Sequence, residues 1–443
     1  MGRLNGLRVA GLSLALCLQL TLATAGSALG FTGFGPMRAD ATFGERMTFD
    51  VELPGGAPDK LELLLRFGGS ESTLVAPVVA TDGGGEYVWD AADRYVVPNT
   101  RLAYQWRATE GQQVTLSREQ TLLYDDDRPG LDWHAATIGE ATVHWYGGSE
   151  QQARRFGELT AEGAARAETL LGHEMVAPVD IFVYEAREDF FGALAPGARE
   201  WFGAATFPHI RTIFMWLGAG SSDYLETTMV HEVTHVVFAD ATDNPFHEPA
   251  KWLNEGLATW SERRSDDEQL ATVEFEASGG GLFAFDAIAY DFPFGGRGSS
   301  LSYAMGTTMV GMIIDRYGEE AIARIAEEYR GGASDAEALG AATGVPIEQL
   351  YDDYYASFGV DAPTPVEPAP ILPSNVRKPG GPGGADGNGS PQDSTLPQPP
   401  GVHAPDEPSD FGWVVVVSAI VVVAGVAAAA VVARRRVSRR EPS

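Results

Sequence analysis

TTMVHEVTHVVFADATDNPFHEPAKWLNEGLATW, residues 227–260, decides how this chain reads. It holds three of the eight histidines in 443 residues. Leu225, Met229, Val233, Val236 and Val237 recur at helical spacing, and Asp223 stands where a cap belongs, so the pattern predicts a helix over 225–239. His231 and His235 are four residues apart. On a helix they project from one face on consecutive turns, which is the placement two imidazoles need to hold one zinc ion. Glu232 stands beside the first histidine, placed to take a proton from a metal-bound water without being a ligand. On these five residues alone, an amphipathic helix carrying two satisfied histidines is the competing reading.

The rest of the stretch shifts the balance. A hydrolytic zinc site uses three protein ligands and keeps a fourth position open. Glu255 follows His235 by twenty positions. Pro249 is read as opening a second helix, with Trp252, Leu253, Leu257 and Trp260 on its apolar side. Glu255 then faces the first helix and completes a His-His-Glu set.

HEVTH followed by PAKWLNEGLATW resembles the gluzincin metallopeptidases, in particular the peptidase-MA-like group. The resemblance covers roughly residues 137–358, most strongly 227–262 and 302–330. It implies that His231, His235 and Glu255 are zinc ligands and that Glu232 is the general base. It implies that Tyr303, in "SYAMGTTMVGMIIDRYGEEAIARIAEEY", opens a helix and stabilises the tetrahedral oxyanion, although a tyrosine at a helix start is as often core. Glu262 matches an acid of the family, either supporting a ligand histidine or forming a solvated ion pair. Family aminopeptidases carry a Gly-x-Met-Glu-Asn loop; the upstream stretch "WFGAATFPHIRTIFMW" lacks it, which argues against an aminopeptidase. That stretch reads as one or two strands over 204–218 near a sheet edge, where an extended peptide could pair through its backbone. His209 and Arg211 read as surface residues rather than substrate contacts, and His247 as a loop histidine. His134, His144 and His173 have no partners at ligand spacing.

Outward from this core, the chain divides by pattern. Residues 31–128 alternate apolar and polar residues in short runs, as in "MTFDVEL" and "LAYQWRAT", separated by "LPGGAPD", "TDGGGE" and "TEGQQ". Five to seven strands in this span predict an all-β sandwich of immunoglobulin or fibronectin type. From 129 to 360 the pattern is α+β or α/β, with a helix over 150–172, a buried strand at Val179–Tyr184 and a helical second half, and the resemblance implies that this span is an α+β zincin-type metallopeptidase domain. Residues 361–410, rich in Pro, Gly and Asp, read as a disordered stalk.

The two ends set the compartment. Residues 1–30 read as a secretory signal peptide, with Arg3 and Arg8 before an apolar run. The single cysteine, Cys17, lies inside that run, so disulfides are not expected to hold the mature protein. Residues 413–433 are 21 uncharged, mostly apolar residues, long enough to span a bilayer. Five arginines follow within 434–443 and mark that tail as cytoplasmic. The expected localisation is a bacterial plasma membrane, anchored by one C-terminal helix with the ectodomain outside. A formal net charge of −30, with three lysines in all, argues against nucleic acid as a partner. The expected partner is a peptide or protein substrate, and the oligomeric state is not legible. The runner-up reading is a non-catalytic surface binding or adhesion protein that keeps a zinc-binding peptidase-like fold. A zinc hydrolase acting on a non-peptide amide is a third.

Overall fold

The computed structural model describes residues 31–364, apart from Gly69, Glu71, Asp82, residues 195–202, His247, residues 263–266 and residues 294–295. The expected signal peptide, nearly all of the expected stalk, the apolar run 413–433 and the basic tail lie outside the described residues. Among the described residues, no helix is long and apolar enough to cross a membrane.

Eight strands form the N-terminal part: β1 (Met37–Thr42), β2 (Arg46–Glu52), β3 (Lys60–Phe67), β4 (Leu74–Val78), β5 (Gly84–Asp90), β6 (Thr100–Glu110), β7 (Gln113–Leu116) and β8 (Gln120–Tyr124). They make two antiparallel sheets, β1-β2-β5 and β4-β3-β6-β7, with β8 paired to β6. The alternation that marks the strands in the sequence is the inward set: Met47, Phe49 and Val51 from one sheet meet Leu63, Leu65, Tyr104 and Trp106 from the other. The rings of Phe49 and Tyr104 cross edge to face at 5.2 Å. This is a two-sheet sandwich, with more strands than the turn signals alone indicate.

The second part is built on a mixed sheet in the order β12-β13-β11-β10-β9. Its strands are β9 (His134–Ile138), β10 (Ala141–Trp145), β11 (Val179–Tyr184), β12 (Ala204–Phe207) and β13 (Thr212–Trp216). β10, β11 and β13 run parallel, while β9 and β12 are antiparallel edges. From Ile181 to Tyr184, β11 is buried on both faces, which is why those four residues read as an unbroken apolar run. Ile181 and Val183 enter the main core, whereas Phe182 and Tyr184 enter a smaller aromatic core with Phe190 and Phe214.

α1 (Glu150–Leu171) crosses between β10 and β11, as parallel pairing requires. Ser149 caps its start and Gly172, at φ 62°, its end. The expected face of Phe156, Leu159, Ala167 and Leu170 is buried. At Gly163 the backbone approaches α3 (Ser222–Thr242) so closely that a Cβ would lie 2.8 Å from a Val233 methyl. Six further helices complete the helical half: α4 (Lys251–Ser261), α5 (Asp267–Ser278), α6 (Gly296–Tyr317), α7 (Glu320–Arg330), α8 (Asp335–Thr343) and α9 (Ile347–Ser357). A short α2 (Arg187–Ala193) follows β11.

The two parts share a polar seam. Asp126 is 4 % exposed and receives Arg128 Nε at 2.7 Å and the Tyr184 hydroxyl at 3.1 Å. Arg128 also donates to the Asp189 carbonyl, and Tyr95 to that of Ala193. Asn99 Nδ2 donates to Thr212 Oγ1 at 2.9 Å. His144 is part of this seam, bonded to Asp180 at 2.8 Å and stacked on Phe182.

Helix boundaries differ from the pattern at two places. α3 is capped by Ser221, whose hydroxyl accepts from Tyr224 N, so Asp223 sits within the first turn, where its charge meets the helix dipole. α4 begins at Lys251 rather than at Pro249, because Ala250, at ψ 134°, is not helical and forms the N-cap; its amide is bound by Asp335 Oδ1 and that of Lys251 by the Ala289 carbonyl.

Candidate metal centre

α3 and α4 pack against each other at the floor of a cleft of about 900 Å³, with the edge strand β12 on one side and α6 on another. His231 and His235 project into it from α3, and Glu255 from α4. Glu255 Oε2 lies 3.4 Å from His231 Nε2 and 3.6 Å from His235 Nε2. Ligand bonds of about 2.0–2.1 Å at tetrahedral angles place donor atoms roughly 3.3–3.4 Å apart. One donor atom from each residue falls within 4.8 Å of the others, and among the described residues this is the one group that meets that condition. Two imidazoles and a carboxylate at this spacing suit zinc, and the side chains are mostly buried, at 11, 12 and 16 % exposure.

Each histidine is oriented from behind. Glu262, the C-cap of α4, accepts from His231 Nδ1 at 2.9 Å. Of the two arrangements open to Glu262 in the sequence, the structure has the contact to His231. Asn254 Oδ1 accepts from His235 Nδ1 at 2.8 Å. Both bonds place the proton on Nδ1 and turn Nε2 toward Glu255. In the metal-free chain, burial disfavours a charged His231, but Glu255 and Glu262 override it and push the imidazole up to about 10. Burial opposes ionisation of Glu255 too, yet the bond to His231 and the nearby His235 hold its carboxyl down to about 2. His231 and Glu255 are thus held as an ion pair, in which a cation would replace a proton of His231.

Glu232 is 8 % exposed and lines the same cleft. Thr206 Oγ1, on β12, donates to its Oε2 at 2.6 Å. Tyr303 also lines the cleft, its ring 6.2 Å from that of His231 and its hydroxyl near the Glu255 carboxylate. Burial, with the charges of Glu255 and Glu232, raises its pKa well above the ordinary value, so the hydroxyl stays a proton donor. Tyr303 does not begin its helix. α6 starts seven residues earlier at Gly296, and Tyr303 stands on its second turn. Gly256 on α4 and Gly306 on α6 meet backbone to backbone, where a Cβ on Gly306 would collide with the Trp252 carbonyl. That close crossing brings Tyr303 to Glu255.

Of the other candidates, His209 reaches the cleft wall with Glu248 3.8 Å away. Arg211, at φ 55°, is engaged by Asp240 at 2.8 Å. His247 lies outside the described residues. Sequence reasoning missed Asn254 and Thr206. Asn254 had a signal, since it immediately precedes the third ligand in "NEG"; Thr206 had none.

Parallel strands flanked by helices on an antiparallel edge, with a His-His-Glu set beneath that edge, define a zincin-like domain. Residues 160–359 match the model of the Peptidase MA superfamily. The matched segment contains the His-His-Glu set, so this part of the chain is similar to gluzincin-type members of that superfamily. Solved structures are similar at low identity. An aminopeptidase N family protein from Idiomarina loihiensis shares 10 % identity over 70 % of this chain and 73 % of its own, with a TM-score of 0.38. An M1 zinc metallopeptidase from Deinococcus radiodurans shares 12 % over 74 % of this chain and 92 % of its own, with a TM-score of 0.33. No curated protein matches the chain.

Proposed function

We propose that the chain is a zinc-dependent peptidase with its ectodomain outside the cell, anchored by residues 413–433. The observation that carries the reading is the joint placement of Glu232 and the His231–His235–Glu255 trio in one cleft. The trio would hold the ion, which when bound lowers the pKa of water and draws charge from a carbonyl oxygen.

Glu232 has the general-base role. Its carboxylate takes one proton from water as the water oxygen bonds to the peptide carbonyl carbon. It then passes that proton to the amide nitrogen as the C–N bond breaks, giving a carboxylic acid and an amine. Tyr303 donates its hydroxyl hydrogen to the oxygen that gains charge. Asn254 and Glu262 hold the two imidazoles in register. β12 offers the backbone of an edge strand beside the trio, which suits an extended peptide.

The anchor is supported by the 21 uncharged residues 413–433 and the five arginines after them. The test is a peptide-library digest by the full-length chain, with and without a zinc chelator. Cleavage that stops with chelator and returns with zinc supports the reading; chelator-insensitive cleavage, or none by zinc-loaded protein, overturns it.

A further inference from the structure

We infer that Thr206 is a positioning residue for Glu232, and this rests on the general-base reading above. Glu232 is carried by α3, but its carboxylate is gripped from a different element. Thr206 Oγ1 lies 2.6 Å from Oε2 of Glu232, a short charge-assisted bond, and 3.3 Å from the Glu232 backbone carbonyl. A hydroxyl has one hydrogen, and the shorter contact gives it to the carboxylate. The bond fixes one carboxylate oxygen, so rotation about the terminal torsion, otherwise broad for a glutamate, is restricted. Oε1 is left to take the proton.

The placement adds a consequence. Thr206 belongs to β12, the edge strand that borders the cleft. Its side chain therefore links the strand against which an extended substrate would lie to the group that moves the proton. A side chain that holds the base without touching substrate alters turnover more than binding.

Thr206→Val keeps the shape and removes the donor; Thr206→Ser keeps the donor. The experiment compares wild type, Thr206→Val, Thr206→Ser, Glu232→Gln and the Thr206→Val/Glu232→Gln double variant. All are measured for zinc content, for kcat and KM on a cleaved peptide, and for the urea unfolding midpoint of the metal-free protein. Thr206→Val is expected to lose about 10- to 100-fold in kcat with KM and zinc content unchanged. Thr206→Ser is expected to restore kcat to within a few-fold, about the scale of a retained hydrogen bond. In the unfolding cycle, the two substitutions are expected to be non-additive, because Thr206→Val removes the donor of the contact and Glu232→Gln removes the charge that strengthens it. Wild-type kcat in Thr206→Val, or equal losses in the Val and Ser variants, would overturn the inference. So would strictly additive midpoints, which decide the contact even if no peptide is cleaved; absence of cleavage by wild type overturns the peptidase reading instead.

Discussion

Asn254 Oδ1 accepts a hydrogen bond from His235 Nδ1 at 2.8 Å, so the residue next to Glu255 orients His235. α4 thereby contributes three times to the centre, through Glu255 and, from behind, through Asn254 and its C-cap Glu262. Outer partners of this kind typically change metal affinity by about 10- to 100-fold when removed. Asn254→Ala is expected to weaken zinc binding by that factor while leaving the fold intact. Competition against a chelator of known affinity measures it; unchanged affinity would mean that the bond does not orient the ligand.

The charge state of His231 and Glu255 in the metal-free protein makes a second prediction. His231 is pushed up to about 10, so at neutral pH its imidazole carries both protons. A cation can take its Nε2 only by displacing one. Zinc uptake at pH 7 is expected to release about one proton from this residue, and affinity is expected to fall as pH falls. Calorimetry in buffers of different ionisation enthalpy counts the proton. The same pair sets a pH window for metal-free stability. The raised His231 contributes in full below 6.5, and the contribution is lost as pH rises through about 10. The depressed Glu255 contributes in full above 4.5, and its contribution is lost as pH falls toward about 2. Both are complete between pH 4.5 and 6.5, where this pair stabilises the metal-free protein most.

Tyr303 stays protonated because it is buried beside Glu255 and Glu232. Tyr303→Phe keeps the ring against Phe292 and removes only the donor. Loss of one oxyanion donor costs about 100-fold or more in kcat. The variant is expected to retain zinc and lose turnover on this scale. Full activity would return Tyr303 to the core.

Much of the centre could be read from the residues alone. The four-residue spacing of His231 and His235, and the placement of Glu255 on a second amphipathic helix, are local patterns, and local patterns survive without knowledge of tertiary contacts. β11 is legible for the same reason. Tyr303 was misplaced on its helix because "GGRGSS", residues 295–300, is poor in helix formers and reads as a loop. From Gly296 it is nonetheless helix, with the Ser300 and Ser302 hydroxyls bonded to the carbonyls of Gly296 and Gly298. Packing overrides propensity there. Thr206 was invisible because its partner is 26 residues away on another element, and nothing in a four-residue strand marks such a contact.

The crossing of α4 and α6 makes a structural prediction. A Cβ on Gly306 would run into the Trp252 carbonyl, a backbone atom that cannot turn aside. Gly306→Ala is expected to destabilise the domain by about 1–3 kcal/mol, the usual cost of overpacking. It is also expected to carry Tyr303 away from Glu255, so turnover falls more than zinc content. A thermal melt and a zinc assay on one sample check both; wild-type stability would show that the helices separate freely.

The polar seam makes another. Arg128 pairs with Asp126, which is buried where the sandwich meets the mixed sheet. Arg128→Ala leaves that carboxylate without its cation and is expected to cost about 3–5 kcal/mol. Differential scanning calorimetry of the variant reads the loss; an unchanged melting temperature would show that the seam does not support the fold.

The central claim is that Glu232 moves the proton while His231, His235 and Glu255 hold the ion. Glu232→Gln separates the two roles in one variant. Measured together, zinc content and peptide turnover are predicted to give one bound zinc per chain and a loss of hydrolysis of at least about 100-fold, the low end of general-base contributions. A variant that keeps its zinc and cleaves at the wild-type rate would contradict the account.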